Sequence, residues 1–181
     1  VEALAMRRQL LVPAHLSIAI SLNNLAGFYY YEQRHEEAET LYLEALDMKK
    51  QLLGDLHPDV AVSLNNLAQL YSDLERYEKA EPLLVEAVEN NKRSLGTANP
   101  DFAITLNNLA GLYKSMGRFA EAEPLYVDSV DIFGSKLGQE HPNTKAVVKN
   151  YIGFLRTVIQ AERQKDLSNE MSLQIISQIG N

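Results

Sequence analysis

An internal repeat with a period of 42 residues is the feature of this sequence that most constrains its fold. The segment SLNNLA occurs at 21–26 and again at 63–68, and TLNNLA follows at 105–110. Residues 57–98 and 99–140 share 19 of 42 positions when they are aligned without a gap. Recurrence at this length is typical of architectures in which each unit buries its apolar face by stacking on its neighbours.

Each unit is predicted to contain two helices. A proline occupies the first position of the first helix. It is tolerated there because a backbone N–H at this position would have no partner inside the helix. In the second unit this helix is expected to end near Leu74, with a turn at Glu75-Arg76 and a second helix from Tyr77 to Leu95. A glycine after the second helix is a common stop signal. The prolines are Pro58, Pro100 and Pro142, and the glycines are Gly54, Gly96 and Gly138.

Large and small apolar residues alternate at helical spacing within each unit, which predicts one buried stripe per helix. In the second unit the stripe comprises Leu64, Leu67, Ala68 and Tyr71, followed by Ala80, Leu84 and Ala87. Together with the motifs HPD, LNNLA, EAEPLY and LG, this spacing resembles the tetratricopeptide repeat, in the 42-residue form of kinesin light chains and related bacterial proteins. The resemblance implies an all-α fold, a right-handed α-solenoid of antiparallel helix pairs, and indicates a fragment of a bacterial repeat array.

The repeat frame predicts one solenoid, 1–165, followed by a C-terminal tail, 166–181. The solenoid is expected to begin with the end of a truncated repeat and to close with a capping helix. That helix is predicted to continue to about Lys165, because its turn position holds no turn residue. The tail is expected to fold back on the last repeat, to bind another molecule or to stay loose. The segments are 1–14 for the truncated repeat, 15–56, 57–98 and 99–140 for the full repeats, and 141–165 for the capping helix.

Composition and motifs narrow the classes of function. The formal net charge of −7 disfavours nucleic acid as a partner, because an acidic chain repels phosphate groups. The absence of cysteine excludes disulfides, thiolate zinc sites and cysteine nucleophiles. There is no apolar run of membrane-spanning length and no signal-peptide pattern, so no membrane partner and a cytoplasmic location are expected. No motif for catalysis, cofactor binding or metal binding stands out, and the protein is predicted not to be an enzyme.

The histidines favour a structural interpretation over a metal site. His15, His57 and His141 recur at the turn between repeats, 42 or 84 residues apart. This spacing places them on separate layers of the stack, where they cannot converge on one ion. They are interpreted as helix caps.

The paired asparagines of LNNLA suggest a binding surface. In the tetratricopeptide family the first helix of each pair lines the inner, concave wall of the solenoid. On the first helix of the second unit, an advance of 100° per residue places Asn66, Gln69 and Asp73 opposite the apolar stripe. A row of side-chain amides can hold an extended peptide by its backbone, and Gly27 and Gly111 leave room for it. The resemblance also implies peptide binding along this groove.

The alternative is that the asparagines bond to neighbouring helices and hold the repeats in register. Ligand contact is favoured for the second asparagine of each pair, and the register role for the first. The basic candidates lie toward the C-terminal end, so the partner segment is expected to be extended and not strongly acidic. The predicted groove residues are the second asparagines Asn24, Asn66, Asn108 and Asn150, the first asparagines Asn23, Asn65 and Asn107, and the residues Gln69, Tyr31, Lys114 and Lys149.

The sequence therefore predicts a non-catalytic scaffold that binds an extended segment of a protein partner. A second hypothesis is a structural segment of a longer array that associates end to end with itself. Apolar surface at the tail and at the truncated N-terminal helix favours this hypothesis, since such a contact generates open filaments.

Overall fold

A computed structural model of the protein describes residues 15–179. Within this range the chain forms eight α-helices and one short 3₁₀ helix, and no β-strand. The segment 1–14, predicted to end a truncated repeat, lies outside the described residues. The helices are α1 (Leu16–Tyr31), α2 (His35–Leu53), α3 (Pro58–Asp73), α4 (Tyr77–Leu95), α5 (Pro100–Ser115), α6 (Phe119–Leu137), α7 (Pro142–Gln160) and α8 (Glu170–Ile179), with the 3₁₀ helix at Gln164–Asp166.

The chain divides into two compact units, with the boundary between Ser94 and Leu95. In unit 1, α1 packs against α2 and α2 packs against α3; in unit 2, α5 packs against α6 and α6 packs against α7. Only three residues separate α1 from α2, so the two helices of the pair run antiparallel. The predicted all-α class, built from antiparallel helix pairs, is confirmed.

The predicted apolar stripe forms the core of each unit. In unit 1 the residues Leu64, Leu67 and Ala68 of α3 are at most 1% exposed, and Tyr71 is 6% exposed. In unit 2 the equivalent residues of α5 are buried as well. Small residues at every repeat allow the helices to approach closely, while leucine and tyrosine fill the remaining space.

A side-chain cap begins the first helix of every repeat. The cap residue accepts a hydrogen bond from the backbone N–H two residues later, which satisfies a donor that has no partner inside the helix. The cap role predicted for the histidines is confirmed. The bonds run to His15 from Ser17 (3.1 Å), to His57 from Asp59 (3.1 Å), to Asn99 from Asp101 (2.7 Å) and to His141 from Asn143 (3.2 Å).

A left-handed residue followed by an arginine makes the turn between the two helices of each pair. The arginine N–H donates to a backbone carbonyl near the end of the preceding helix, at 2.8–3.0 Å. The left-handed residues are Gln33, Glu75, Gly117 and Glu162, and the arginines are Arg34, Arg76, Arg118 and Arg163.

The fourth turn corrects the predicted end of the capping helix. Helix α7 ends at Gln160 and does not continue to Lys165. Glu162 adopts a φ of 55°, and the Arg163 N–H donates to the Val158 carbonyl at 3.0 Å. The turn therefore has the same geometry as the other three and comes three residues later than the 42-residue period would place it.

The tail folds back on unit 2, which is the first of the three predicted alternatives. Leu167 and Ser172 are buried, and the Ser172 hydroxyl lies 2.6 Å from the Tyr151 hydroxyl of α7. The carboxylate of Glu123, itself 1% exposed, accepts the backbone N–H groups of Ser168 at 2.7 Å and Asn169 at 3.1 Å. These bonds fix the residues that lead into α8.

The cap at the start of α3 yields a test. We expect His57→Ala to lower the free energy of unfolding by about 1 kcal/mol, because the Asp59 N–H loses its side-chain acceptor. Urea denaturation measures this change. His57→Asn is the matched control, since Asn99 fills the same position in the next repeat, and its stability should stay near that of the wild type. Equal losses in both variants would contradict the cap role.

The buried carboxylate that holds the tail yields a second test. We expect Glu123→Ala to destabilise unit 2 by about 1–3 kcal/mol and to speed amide hydrogen exchange at 168–172. Glu121→Ala is the control, because this exposed residue of the same helix pairs with Arg118, three residues before it. Unchanged protection of the tail in Glu123→Ala would show that other contacts hold it.

Candidate functional site

Exposed residues on one side of α1 and α3 form a surface that we call the asparagine face of unit 1. Its side chains are exposed or half-buried, whereas Leu22 and Leu64 on the opposite sides of the same helices are fully buried. Two large aliphatic residues of the face, Ile20 and Val62, are 42% and 51% exposed. The face therefore offers apolar groups beside its amides. It comprises Ile20, Asn24, Gly27 and Tyr31 of α1 and Val62, Asn66, Gln69 and Asp73 of α3.

The asparagine face of unit 2 is built in the same way. Ile104 is 42% exposed, and Asn150 of α7 is exposed. The face comprises Ile104, Asn108, Gly111 and Ser115 of α5 and Asn150 and Gly153 of α7.

Asparagine side chains bond to each other between successive repeats. In unit 1 the Asn66 amide donates to the Asn23 carbonyl oxygen at 3.2 Å, and in unit 2 the Asn150 amide donates to Asn107 at the same distance. The second asparagine of one repeat thus meets the first asparagine of the preceding one. Such a bond uses one of the two N–H groups of the donor amide. It does not use the carbonyl oxygen of that amide.

The first asparagine of each pair has a hydrogen-bond partner, which for Asn23 and Asn107 lies on a neighbouring helix and for Asn65 lies on its own helix. Asn23 and Asn107 accept the bonds between repeats. Asn65 donates to the Ala61 carbonyl one turn earlier at 2.8 Å. A bond of this kind offsets the poor helix propensity of asparagine by satisfying its amide inside the helix. Contact of Asn24, Asn66 and the other second asparagines with a ligand stays a prediction.

Asp73 is the charged residue of the asparagine face of unit 1. One carboxylate oxygen accepts the hydroxyl of Tyr30, and the other accepts the Gln69 amide at 2.7 Å. The bond to Asp73, together with burial, raises the pKa of Tyr30 to about 12. Sequence analysis placed Gln69 and Tyr31 in the groove but did not pair Tyr30 with Asp73, which comes 43 residues later. The same separation joins Asn23 to Asn66, so the repeat period carried the signal.

Tyr31 projects from the end of α1 into solvent. It is 81% exposed, and its ring meets the Tyr30 ring edge-on with centroids 5.6 Å apart. At this exposure most of the ring surface is open to solvent.

Two glycines of the asparagine faces each lie close to the hydroxyl of a tyrosine on the second helix of the same pair. A Cβ at Gly27 would lie 3.5 Å from the Tyr42 hydroxyl, and a Cβ at Gly111 would lie 3.7 Å from the Tyr126 hydroxyl. These tyrosines are almost fully buried, which raises the pKa of each. The small residues thus accommodate tyrosine hydroxyls of the fold, in addition to any room that they leave for a peptide.

The predicted basic residues lie in unit 2. Lys149 lines a surface concavity of about 620 Å³ along α7, together with Lys145 and Arg156, which sequence analysis missed. Their spacing of four and seven residues along one helix was the available signal. The Lys145 ammonium pairs with Glu140 at 2.7 Å. Lys114 is half-buried on α5.

Sequence analysis also missed the role of the turn arginines. The Arg34 guanidinium lies 4.0 Å from the centre of the Tyr29 ring, and Arg118 lies 4.2 Å from that of Tyr113. These cation–π contacts fasten the turn to the end of the first helix. The recurrence of arginine every 42 residues at this position was the sequence signal.

The titratable residues in the described part of the chain do not form a metal site. Among residues 15–179, no three His, Asp or Glu side chains are grouped so that they could hold a metal ion. The fourth histidine, His35, opens α2, and its ring centre lies 6.2 Å from that of Tyr30. Within the same range no helix is both long and apolar enough to span a membrane.

Comparison with protein families matches two segments of the chain to the tetratricopeptide repeat. One family model covers residues 17–93, and a second covers residues 102–143. No curated protein matches the sequence.

Solved structures with the same fold include kinesin-light-chain-like proteins. A Podosopora anserina protein described as a kinesin light chain with nearly identical TPR-like repeats is 24% identical, with a TM-score of 0.75 over 98% of this chain and 82% of its own. BtubC (BKLC) from P. vanneervenii is 23% identical, with a TM-score of 0.76 over 99% of this chain and 71% of its own. The Sgt2 TPR domain of Aspergillus fumigatus is 17% identical, with a TM-score of 0.58 over 84% of this chain and 86% of its own. These structures show the α-solenoid fold.

The asparagine bond in unit 1 can be tested by a double-mutant cycle. We expect Asn23→Ala and Asn66→Ala to be coupled by about 0.5–1.5 kcal/mol in the free energy of unfolding, because the two side chains share one hydrogen bond. Urea denaturation of the two single variants and the double variant measures the coupling. Asn24→Ala is the control for an exposed amide on the same helix and should change stability by less than about 0.5 kcal/mol. Additive effects of Asn23 and Asn66 would contradict a register role for this pair.

Proposed function

This chain belongs to the tetratricopeptide repeat proteins, a family of protein-interaction scaffolds, and we propose that it binds an extended segment of a protein partner along its asparagine faces without catalysing a reaction. The observation that carries this proposal is the exposure of amide and aliphatic side chains on the first helix of each pair. A helix that served only to pack against its neighbours would not need Ile20, Asn24 and Val62 on its solvent side.

The chemistry of the asparagine faces suits the backbone of an extended chain. Such a chain presents unpaired N–H and C=O groups on both edges, and a side-chain amide can donate to one and accept from the other. Asn24 is exposed on α1, and within residues 15–179 the bond of Asn66 to Asn23 uses one of the two N–H groups of its amide. Contacts to the backbone supply affinity that depends little on sequence, while Ile20 and Val62 select for apolar side chains.

The charge of the asparagine face in unit 1 argues against a strongly acidic partner there. Its one formal charge is the carboxylate of Asp73, which would repel glutamate or aspartate side chains. The basic groups of the groove prediction, Lys114 and Lys149, both belong to unit 2. If highly acidic peptides bound best, and did so through these two lysines, the preference proposed here would be wrong.

The second hypothesis, end-to-end self-association, keeps apolar candidates in the tail. Leu167 is buried against its own unit, but other apolar side chains of the tail are not. Met171 and Leu173 stay 38% and 45% exposed. Light scattering over a concentration series distinguishes the two hypotheses, because self-association predicts a mass that grows with concentration in the absence of a partner.

The proposal is tested by removing the second asparagines together. We expect the variant Asn24→Ala, Asn66→Ala, Asn108→Ala to stay folded by circular dichroism and to lose a protein that the wild type captures from the lysate of its source organism, as identified by mass spectrometry. Gln51→Ala is the control, because it removes an exposed amide from α2, the other helix of the pair. Equal recovery by all three proteins would mean that the asparagines are architectural and that binding along the asparagine faces is wrong.

A further inference from the structure

The first helices of the two units differ in charge. In unit 1, α1 contains no charged residue, and α3 contains two, Asp59 in its first turn and Asp73 at its end. In unit 2, α7 contains Lys145, Lys149 and Arg156 and no acidic residue. Any segment that lies on the asparagine face of unit 1 therefore meets a carboxylate and no cation of the same helices.

The carboxylate of Asp73 is held in place by neutral groups. Tyr30 and Gln69 each donate to one of its oxygens, which orients the group without cancelling its charge. The nearby turn arginines are engaged elsewhere, because Arg34 pairs with Glu37 and Arg76 pairs with Glu39. Among residues 15–179 no cation forms an ion pair with Asp73.

We infer that the segment bound by unit 1 alternates aliphatic and basic side chains, with a lysine or arginine directed at Asp73 and Tyr31. This inference rests on the proposed function and specifies the class of partner for the same surface. The exposed ring of Tyr31 can cover the aliphatic stem of such a side chain and attract its cation, while the carboxylate of Asp73 pairs with its charge.

The spacing along α3 explains the alternation. Val62 lies four residues before Asn66, a rise of about 6 Å, and Asp73 lies seven residues after it, a rise of about 10 Å. A peptide that crosses α1 and α3 at the level of the asparagines directs successive side chains to opposite sides. One side chain then points toward Ile20 and Val62, and the next points toward Asp73, at a distance suited to a long basic side chain.

The net negative charge of unit 1 also favours a basic partner segment. Residues 1–94 carry 15 acidic and 9 basic residues, whereas residues 95–181 carry 9 and 8. A negative unit attracts basic segments from a distance and accelerates their association, an effect that falls as salt is added.

The test uses the full chain and three labelled peptides measured by fluorescence anisotropy. The peptides alternate valine with lysine, with glutamine or with glutamate, and are otherwise identical. We expect the lysine peptide to bind most tightly, the glutamate peptide least tightly, and the difference to shrink at high salt. Asp73→Asn should weaken binding of the lysine peptide about two- to fivefold and leave the glutamine peptide unchanged.

The control for Asp73→Asn is Asp47→Asn. Asp47 is an exposed carboxylate in the same unit that also accepts a glutamine amide one turn away, from Gln51 at 2.7 Å, but it lies on α2. This variant should bind all three peptides as the wild type does. Equal loss of lysine-peptide affinity in Asp47→Asn and Asp73→Asn would reduce the effect to net charge and overturn the assignment to Asp73.

The remaining outcomes separate this inference from the proposed function. Equal affinity for all three peptides, with loss of binding in the triple asparagine variant, would overturn the basic preference and keep peptide binding on the asparagine faces. Binding that is unaffected by both the asparagine and the Asp73 substitutions would overturn both.

Discussion

Burial of a single apolar stripe between successive helix pairs is the constraint on which the rest of this structure depends. One pair of helices cannot cover Leu64, Leu67 and Ala68 of α3 by itself, and these residues are buried because α2 packs on α3. The stripe occupies one side of each first helix, and within residues 15–179 the other side stays exposed or half-buried. The asparagine face exists because the core needs only half of the helix.

Hydrogen bonds between polar side chains of successive repeats result from the same stacking of helix pairs. Asn23 meets Asn66, Tyr30 meets Asp73, and in unit 2 Asn107 meets Asn150, always 43 residues apart. Equivalent residues of successive repeats are 42 residues apart. The residue that follows the equivalent position, 43 residues along the chain, is the one whose side chain meets its neighbour on the preceding helix. The row of amides is therefore partly tied together within each unit, and this limits how freely its members can turn toward a ligand. Asn24 is exposed, whereas Asn23 and Asn65 are half-buried and have partners within the fold, which makes Asn24 the better candidate for contact.

The sequence predicted the regular parts of the fold well because their signals are local and repeated. The observed end of α3 at Asp73 and the bounds of α4, Tyr77 and Leu95, follow from the apolar stripe and the turn residues. The turn after α7 was predicted at the wrong place, because it comes three residues later than the 42-residue period gives. Glu162-Arg163 repeats the dipeptide Glu75-Arg76 of the second turn, and both glutamates are left-handed. By contrast, the separation of 43 residues that pairs Tyr30 with Asp73, and the helical spacing of Lys145 and Arg156 around Lys149, were present in the sequence and were overlooked.

One glutamate position of the repeat accepts hydrogen bonds from the following repeat in unit 1 and from the tail in unit 2. In unit 1, Glu39 accepts the Tyr71 hydroxyl at 2.8 Å and the Arg76 guanidinium at 2.9 Å, both from the following repeat. Glu123 holds the same position in unit 2, but the residues that would correspond to its donors are Leu155 and Gln160. A buried carboxylate without donors would be costly, and the backbone N–H groups of the tail supply them instead. The tail therefore satisfies the hydrogen-bonding requirement that a further repeat would otherwise meet.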